Sequence, residues 1–331
     1  MPTQEQAQRN KAVTLDTLRE AMVESIGHWT VGKTDCLTAI PNLNLFRREE
    51  PMPPSTCLVE ASVVLVVQGE KQMLAGGEAY PYNINRFLIT SLDIPANSQV
   101  VTASADNPCL GLAFKLDLRT MAELIAQGGL PLPAERSNDR GVGIGLGAVT
   151  PVLLEPFKRL LNLLDEPATI PVLAPLIERE IHYRLLMSDQ AARLWQIASV
   201  GSQGHRIAKA IDWLKVNYMA TLRIDDLASH VQMSPSSLHQ YFRQLTAMSP
   251  LQYQKWLRLN EARRLMLNED LDAASAAFEV GYESPSQFSR EYTRLFGASP
   301  KRDVDGLRRK ADGGEPSKSL AAASTNYSSG Y

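Results

Sequence analysis

Ser234-Pro-Ser-Ser-Leu-His-Gln-Tyr-Phe-Arg-Gln-Leu-Thr-Ala-Met-Ser-Pro250 and Ser284-Pro-Ser-Gln-Phe-Ser-Arg-Glu-Tyr-Thr-Arg-Leu-Phe-Gly-Ala-Ser-Pro300 state one pattern twice. The copies align without a gap at an offset of 50 residues. Each predicts a helix. Ser234 and Ser284 suit the N-cap, and Pro235 and Pro285 suit the first helical position, where a missing N–H costs nothing. Leu238, Phe242 and Leu245 in the first copy, and Phe288, Tyr292 and Leu295 in the second, recur at i, i+4 and i+7. That spacing makes one buried stripe per helix.

A shorter helix is expected before each copy, over Ile224–Val231 and over Asp272–Val280. Ala228 and Ala277 are small enough for two helices to cross closely. Gln232-Met233 and Gly281-Tyr-Glu283 then supply tight turns, the second one residue longer. A short helix, a tight turn and a capped second helix make a helix-turn-helix, and here there are two.

The faces opposite the apolar stripes carry Ser236, Ser237, Gln240, Arg243 and Gln244 in one copy, and Ser286, Gln287, Arg290, Thr293 and Arg294 in the other. These hydroxyls, amides and guanidiniums contain no carboxylate, so they donate to phosphates and base edges without repelling them. Ser236, Ser237, Gln240, Ser286, Gln287 and Arg290 are the candidates for base edges. Arg290 leads, because arginine to guanine is the commonest specific pairing. Arg243 and Arg294, a turn further on, suit phosphates. Lys255 and Arg258, with Arg263 and Arg264, are further phosphate candidates on the helix between the units. The plainer reading is two helical hairpins with merely solvated faces; two copies of the same face weigh against it.

Residues 205–302 resemble the DNA-binding domain of the AraC/XylS family of bacterial transcription regulators, most specifically over Val280–Pro300. The first copy departs from the pattern, with Thr246-Ala247 where the second has Phe296-Gly297. The resemblance implies a promoter operator in double-stranded DNA and RNA polymerase as partners, a homodimer, and activation more often than repression.

Charge agrees once divided. The chain of 331 residues has a net charge of −2. His205–Lys310 holds 16 Lys and Arg against 12 Asp and Glu, a net +4, and the remainder is −6. A modest basic excess on the repeat segment suits salt-sensitive DNA binding.

Upstream the pattern changes. A helix is expected over Leu15–Ile26, then a Pro-punctuated loop with one short strand from Pro41 to Pro54. Cys57–Gly69, Glu70–Leu74, Arg86–Ser91, Gln99–Ser104 and Leu110–Leu116 read as strands, with turns at Pro81–Asn85, Asp93–Asn97 and Asp106–Pro108. Regular short strands argue for a small sandwich or barrel, and Gly76-Gly77 with Tyr80-Pro81 resemble the cupin barrels. This stretch resembles the N-terminal domain of one branch of AraC-type regulators. Gly141–Ala148 contains a G-x-G-x-x-A match but no strand is expected before it, so a flexible loop is preferred to a dinucleotide site. Amphipathic helices over Val152–Leu164 and Pro171–Leu186 form a helical hairpin that caps the barrel, makes the dimer interface, or does both.

The fold expected is thus α+β with two domains. A cupin-like effector and dimerisation domain covers 15–198, and an all-α domain with two helix-turn-helix units covers 205–302. The linker is Ala198–Gly204, and 1–14 and 311–331 are expected to be disordered.

The function expected is a DNA-binding regulator answering to an unidentified small molecule. Two rivals are a cupin-like enzyme fused to a DNA-binding domain, and a repressor or architectural protein without an effector. A metal enzyme needs converging ligands. His28 and His182 are the only histidines before residue 200, and neither falls on an expected strand. Hence no catalytic residue, metal or cofactor is assigned. The N-terminus has no apolar core of a signal peptide, and no apolar run reaches membrane-spanning length. Three scattered cysteines, Cys36, Cys57 and Cys109, suit a reducing cytoplasm. Cys57 and Cys109 fall on or beside expected strands, where a thiol-reactive signal is one option and simple burial the favoured one.

Overall fold

A computed structural model describes residues 4–133 and 143–312. The chain divides into two compact units, the first running to His205 and taking in Gln244–Ala247, the second made of Arg206–Arg243 and the chain from Met248 onward.

The first unit opens with helix α1 (Gln4–Trp29). It begins well before Leu15, across residues expected to lack structure. Nine strands interrupted only by turns follow: β1 (Asp35–Leu37), β2 (Leu43–Arg48), β3 (Met52–Val59), β4 (Ser62–Gln68), β5 (Glu70–Ala75), β6 (Glu78–Asn83), β7 (Arg86–Thr90), β8 (Ile94–Thr102) and β9 (Cys109–Lys115). Then come α2 (Leu118–Ala126), β10 (Ile144–Ala148), α3 (Pro151–Asn162), α4 (Ile170–Leu186) and α5 (Ala191–Ala198). The strands form one antiparallel sheet in the order β1-β2-β9-β4-β7-β6-β5-β8-β3, with β10 added on β7. β1 and β3 end the order unpaired with each other, so the expected barrel is an open, curled half-barrel.

The curl follows from contacts across the sheet. β2 and β5 are five strand positions apart, roughly 24 Å in a flat sheet at about 4.8 Å per strand. Yet Lys71 Nζ on β5 lies 4.3 Å from the ring centroid of Phe46 on β2. The sheet therefore folds its inner face onto itself. Its outer face carries Leu43, Leu45, Val63, Leu65, Phe87, Ile89, Leu112 and Phe114, which merge with Met22, Ile26, Phe157, Leu160, Ile181 and Leu185 of the helices into one core. Alternation along each strand fixes this two-sided pattern.

Three expectations are corrected here. Pro41–Pro54 holds all of β2 and the first three residues of β3, not one short strand; Pro53 and Pro54 are tolerated because β3 is an edge strand with no ladder on its far side. The Pro81–Asn85 turn is shorter than expected, since Pro81 lies within β6. Ile144–Ala148 is a strand, not a loop. Its glycines fit close neighbours: a Cβ on Gly147 would meet the Phe87 ring at 2.1 Å.

The second unit is helical: α6 (Gln203–Asn217), α7 (Ile224–His230), α8 (Pro235–Thr246), α9 (Pro250–Asn268), α10 (Ala273–Glu279), α11 (Pro285–Phe296) and α12 (Pro300–Asp312). The last two residues of α12 fall in the segment expected to be disordered; the rest of that tail lies outside the described residues. The boundary helix α6 starts at Gln203, inside the expected linker. Helix α9 is closed at its start by a reciprocal cap, in which Ser249 Oγ accepts from Gln252 N–H and the Gln252 side chain accepts from Ser249 N–H.

Candidate nucleic-acid interface

The two helix-turn-helix units are built alike, down to the turn. Met233 N–H donates to Ala228 C=O at 2.9 Å, and Tyr282 N–H donates to Ala277 C=O at 2.9 Å. The residue before each donor is left-handed: Gln232 at φ 56° and Gly281 at φ 84°. Ala228 and Ala277 are both buried, as a close helix crossing requires. Ser234 Oγ accepts from Ser237 N–H at 3.2 Å, and Ser284 Oγ accepts from Gln287 N–H at 3.4 Å, so both serines cap their helices. Leu238, Phe242, Phe288 and Tyr292 are fully buried.

With those stripes inward, Ser236, Gln240 and Arg243 on α8 and Ser286, Gln287, Arg290 and Arg294 on α11 are exposed. Among the described residues Arg243, Arg290 and Arg294 form no hydrogen bond or ion pair, leaving their donors open to an external partner. Ser237 is half-buried and its hydroxyl accepts from Ser234 Oγ at 2.9 Å. His239 is also exposed on α8, one residue before Gln240, and the spacing argument passed over it.

Glu291 also escaped that argument, since it is a carboxylate inside α11. It is half-buried and turned to the protein. It accepts from Lys255 Nζ at 2.7 Å, from Tyr282 OH at 2.8 Å and from Gln287 Nε2 at 3.2 Å. Burial opposes its ionisation, but these donors outweigh burial and hold the carboxyl below the usual range. Its charge is thus met inside the fold.

The candidates on α9 fare differently. Lys255 is paired with Glu291. Arg258 is corrected outright as a phosphate contact. Its Nε donates to Tyr218 C=O at 2.6 Å, Nη1 to Gly281 C=O at 2.8 Å, and Nη2 to Met219 and Ala220 C=O at 3.0 and 2.9 Å. It ties the end of α6 to the turn of the second helix-turn-helix. Arg263 grips Asp303 through two bonds of 2.7 and 2.8 Å, and Tyr292 OH donates to the same carboxylate at 2.7 Å. Arg264 pairs with Glu261 and Glu269. These cations hold α9, α11 and α12 together.

Two family models match the chain: the AraC-type transcriptional regulator N-terminus over residues 39–193, and a helix-turn-helix domain over residues 227–304. The chain belongs to the AraC family of transcription regulators. The AraC family is one of transcription regulators and not one of enzymes. It is 26% identical over 148 residues to the HTH-type transcriptional activator RhaS of Pectobacterium carotovorum, 45% of this chain and 53% of that one. It is 28% identical over 181 residues to the HTH-type transcriptional regulator ExsA of Pseudomonas aeruginosa, 54% of this chain and 64% of that one. The chain thus spans little more than half the length of the curated regulators it matches. In fold it is similar to ToxT of Vibrio cholerae, solved without ligand (TM-score 0.55, 8% identity, 80% of this chain and 97% of that chain). ToxT has also been solved with an unsaturated fatty acid bound (TM-score 0.52, 9% identity, 79% of this chain and 94% of that chain).

Among the described residues no group of three His, Cys, Asp or Glu is placed to hold a metal. No single described helix is long and apolar enough to cross a membrane.

Proposed function

We propose that this AraC-family regulator is an effector-responsive transcription activator acting in the cytoplasm. Its α8 and α11 helices read two successive major-groove segments of a promoter operator, and its first unit binds a small molecule and pairs two copies. Ser236, Ser237, Gln240, Ser286, Gln287 and Arg290 meet base edges; Arg243 and Arg294 meet phosphates. One observation carries this: two turn-matched helices present exposed donors, with Arg243, Arg290 and Arg294 unpaired among the described residues. Successive groove segments on one face of DNA lie about 34 Å apart. A rigid α9 suits that spacing, locked as it is by Arg258 and Arg263.

Pairing of copies is supported by α4. Ile177, Ile181 and Leu185 are buried against the sheet, while Val172 and Leu176 on the outer side are 68% and 63% exposed. A helix apolar on both sides expects cover on both sides. Beside it a surface groove of about 330 Å³ is lined by Val152, Leu153, Tyr183 and Met187. RhaS, a relative by sequence, is named an activator, which supports the sign of regulation and with it RNA polymerase as a partner. ToxT with its bound fatty acid supports a ligand in regulators of this fold.

The test is transcription in vitro from a template carrying the selected operator upstream of a weak promoter. Transcript should rise with the regulator and RNA polymerase together. A fall in transcript would make it a repressor, and no change would leave an architectural role.

A further inference from the structure

Helix α8 turns one set of residues outward. At about 3.6 residues per turn, Ser236, His239, Gln240 and Arg243 recur at i, i+3, i+4 and i+7, away from the buried stripe of Leu238, Phe242 and Leu245. All four are exposed. His239 thus shares the face proposed to meet DNA, with Arg243 one turn further on.

The fold leaves the His239 ring unengaged. Among the described residues it has no hydrogen bond, ion pair or ring contact. Charged groups on the elements around α8 are committed elsewhere. Arg206 of α6 donates to Gln232 C=O in the turn. On α7, Asp226 lies 3.8 Å from Arg223, His230 lies against the Trp213 ring, and Asp225 makes no ion pair with His239. On α9, which packs on α8 through Tyr253 and Phe242, Lys255 pairs with Glu291, Arg258 holds carbonyls, Arg263 holds Asp303 and Arg264 holds Glu261. No described carboxylate is therefore paired with His239.

Helix α11 supplies the contrast. The offset of 50 places Ser289 where His239 stands, and Ser286, Arg290 and Thr293 where Ser236, Gln240 and Arg243 stand. The exposed residues of α11 are Ser286, Gln287, Arg290, Thr293 and Arg294, none of a type that titrates near neutral pH. Glu291 is turned to the protein. Of the two outward faces, only that of α8 carries a histidine, the side chain whose charge changes in the physiological range.

We propose that His239 takes up a proton when α8 meets DNA, so that the operator is bound more tightly as pH falls from 8 to 6. The proposal rests on the reading of α8 and α11 as DNA-reading helices. The proton comes from the buffer. Neutral imidazole offers one donor and one acceptor, and imidazolium offers two donors. Guanine O6 and N7 and the phosphate oxygens only accept, so the cation satisfies them better. The phosphate charge favours the cation as well. Binding that takes up one proton strengthens by at most about tenfold per pH unit.

The test uses the full-length protein and the operator enriched from random duplex DNA. Affinity is read by fluorescence anisotropy at pH 6, 7 and 8 and one ionic strength. Each variant is compared with wild type at the same pH, so any acid effect on the fold is shared. Wild type should bind about tenfold more tightly at pH 6 than at pH 8. His239→Gln, which keeps a donor and an acceptor but does not titrate, should lose that gain. His239→Lys, charged throughout, should bind as tightly at pH 8 as at pH 6. Scrambling the element read by α8 should abolish the wild-type response, and scrambling the α11 element should leave it. Wild-type binding indifferent to pH, a gain kept by His239→Gln, or a response that follows the α11 element would overturn the proton uptake and leave DNA reading in place. Failure to enrich any operator would overturn DNA reading and the proton uptake with it.

Discussion

Glu291 on α11 accepts a 2.7 Å hydrogen bond from Lys255 on the strut helix between the two units. The same carboxylate accepts from Tyr282 in the turn and from Gln287, a candidate for base contact on the outer face. A turn, a strut and a reading side chain are thus joined at one group. In the proposed reading, where Gln287 meets a base edge, Glu291 acts as a positioning residue for it.

Glu291→Ala should leave Lys255 and Tyr282 without their partner and lower stability by about 1–3 kcal/mol. Beyond stability, it should free the Gln287 amide. Selection from random duplexes should then show preference relaxed at one base position, with affinity for the rest of the site retained. Glu291→Gln, which keeps an acceptor, should restore much of that preference. A uniform loss across all positions would reduce Glu291 to a purely structural role.

The helix ends of the two copies predict opposite responses to glycine and alanine. Ala247 holds φ 59° where Gly297 holds φ 76°. A left-handed non-glycine residue costs roughly 1–2 kcal/mol, and glycine returns about 0.4–1 kcal/mol of that through the unfolded chain. Ala247→Gly should therefore raise stability modestly, by up to about 1 kcal/mol. A drop in urea midpoint would contradict the strain at Ala247.

Gly281 admits no such exchange. Its φ is 84°, and a Cβ would lie 2.3 Å from Met219 C=O, one of the carbonyls Arg258 holds. Gly281→Ala should cost roughly 2–4 kcal/mol and weaken DNA binding with it, measured by urea unfolding and gel shift. Arg258→Lys should also weaken binding, without lowering the salt slope as loss of a phosphate contact would.

The first unit carries a pH response at His182 of α4. His182 is buried, accepts from Asp117 N–H on Nε2 at 2.9 Å and lies 2.6 Å from Glu178 C=O through Nδ1. That arrangement requires the neutral ring with its proton on Nδ1. Burial pushes its pKa below the ordinary value of 6.5, outweighing the Glu178 carbonyl and the Asp117 carboxylate, which act the other way. The unfolded state then binds more protons below the ordinary value, so stability falls as pH drops through that value toward the lowered folded pKa. Melting temperature between pH 7.5 and 5.5 should fall less steeply in His182→Gln than in wild type. Identical slopes would contradict the assignment.

Much of the second unit was legible because its signals are local. Serine caps, first-turn prolines and i, i+4, i+7 stripes recur at one offset, and helices follow from them residue by residue. What the long cationic side chains do was not legible. Lys255, Arg258 and Arg263 look like any basic helix surface until the fold brings Glu291, four carbonyls and Asp303 to them. In the first unit, Pro53 and Pro54 read as a loop, since only sheet order reveals that β3 is an edge. The glycines of β10 likewise read as flexibility, although Gly147 is small because the Phe87 ring lies against it. Lys71 gave no signal in a polar stretch, because the curl that carries it to Phe46 is a tertiary fact.

The central claim is that α8 and α11 read DNA as a pair, and selection of random duplex DNA by the full-length protein tests it most directly, run beside Arg290→Ala. Wild type should enrich two short elements about one helical turn apart. Arg290→Ala should relax one element at one position, by about 1–3 kcal/mol of discrimination, and leave the other intact. A single enriched element, or an Arg290→Ala profile indistinguishable from wild type at both elements, would contradict it.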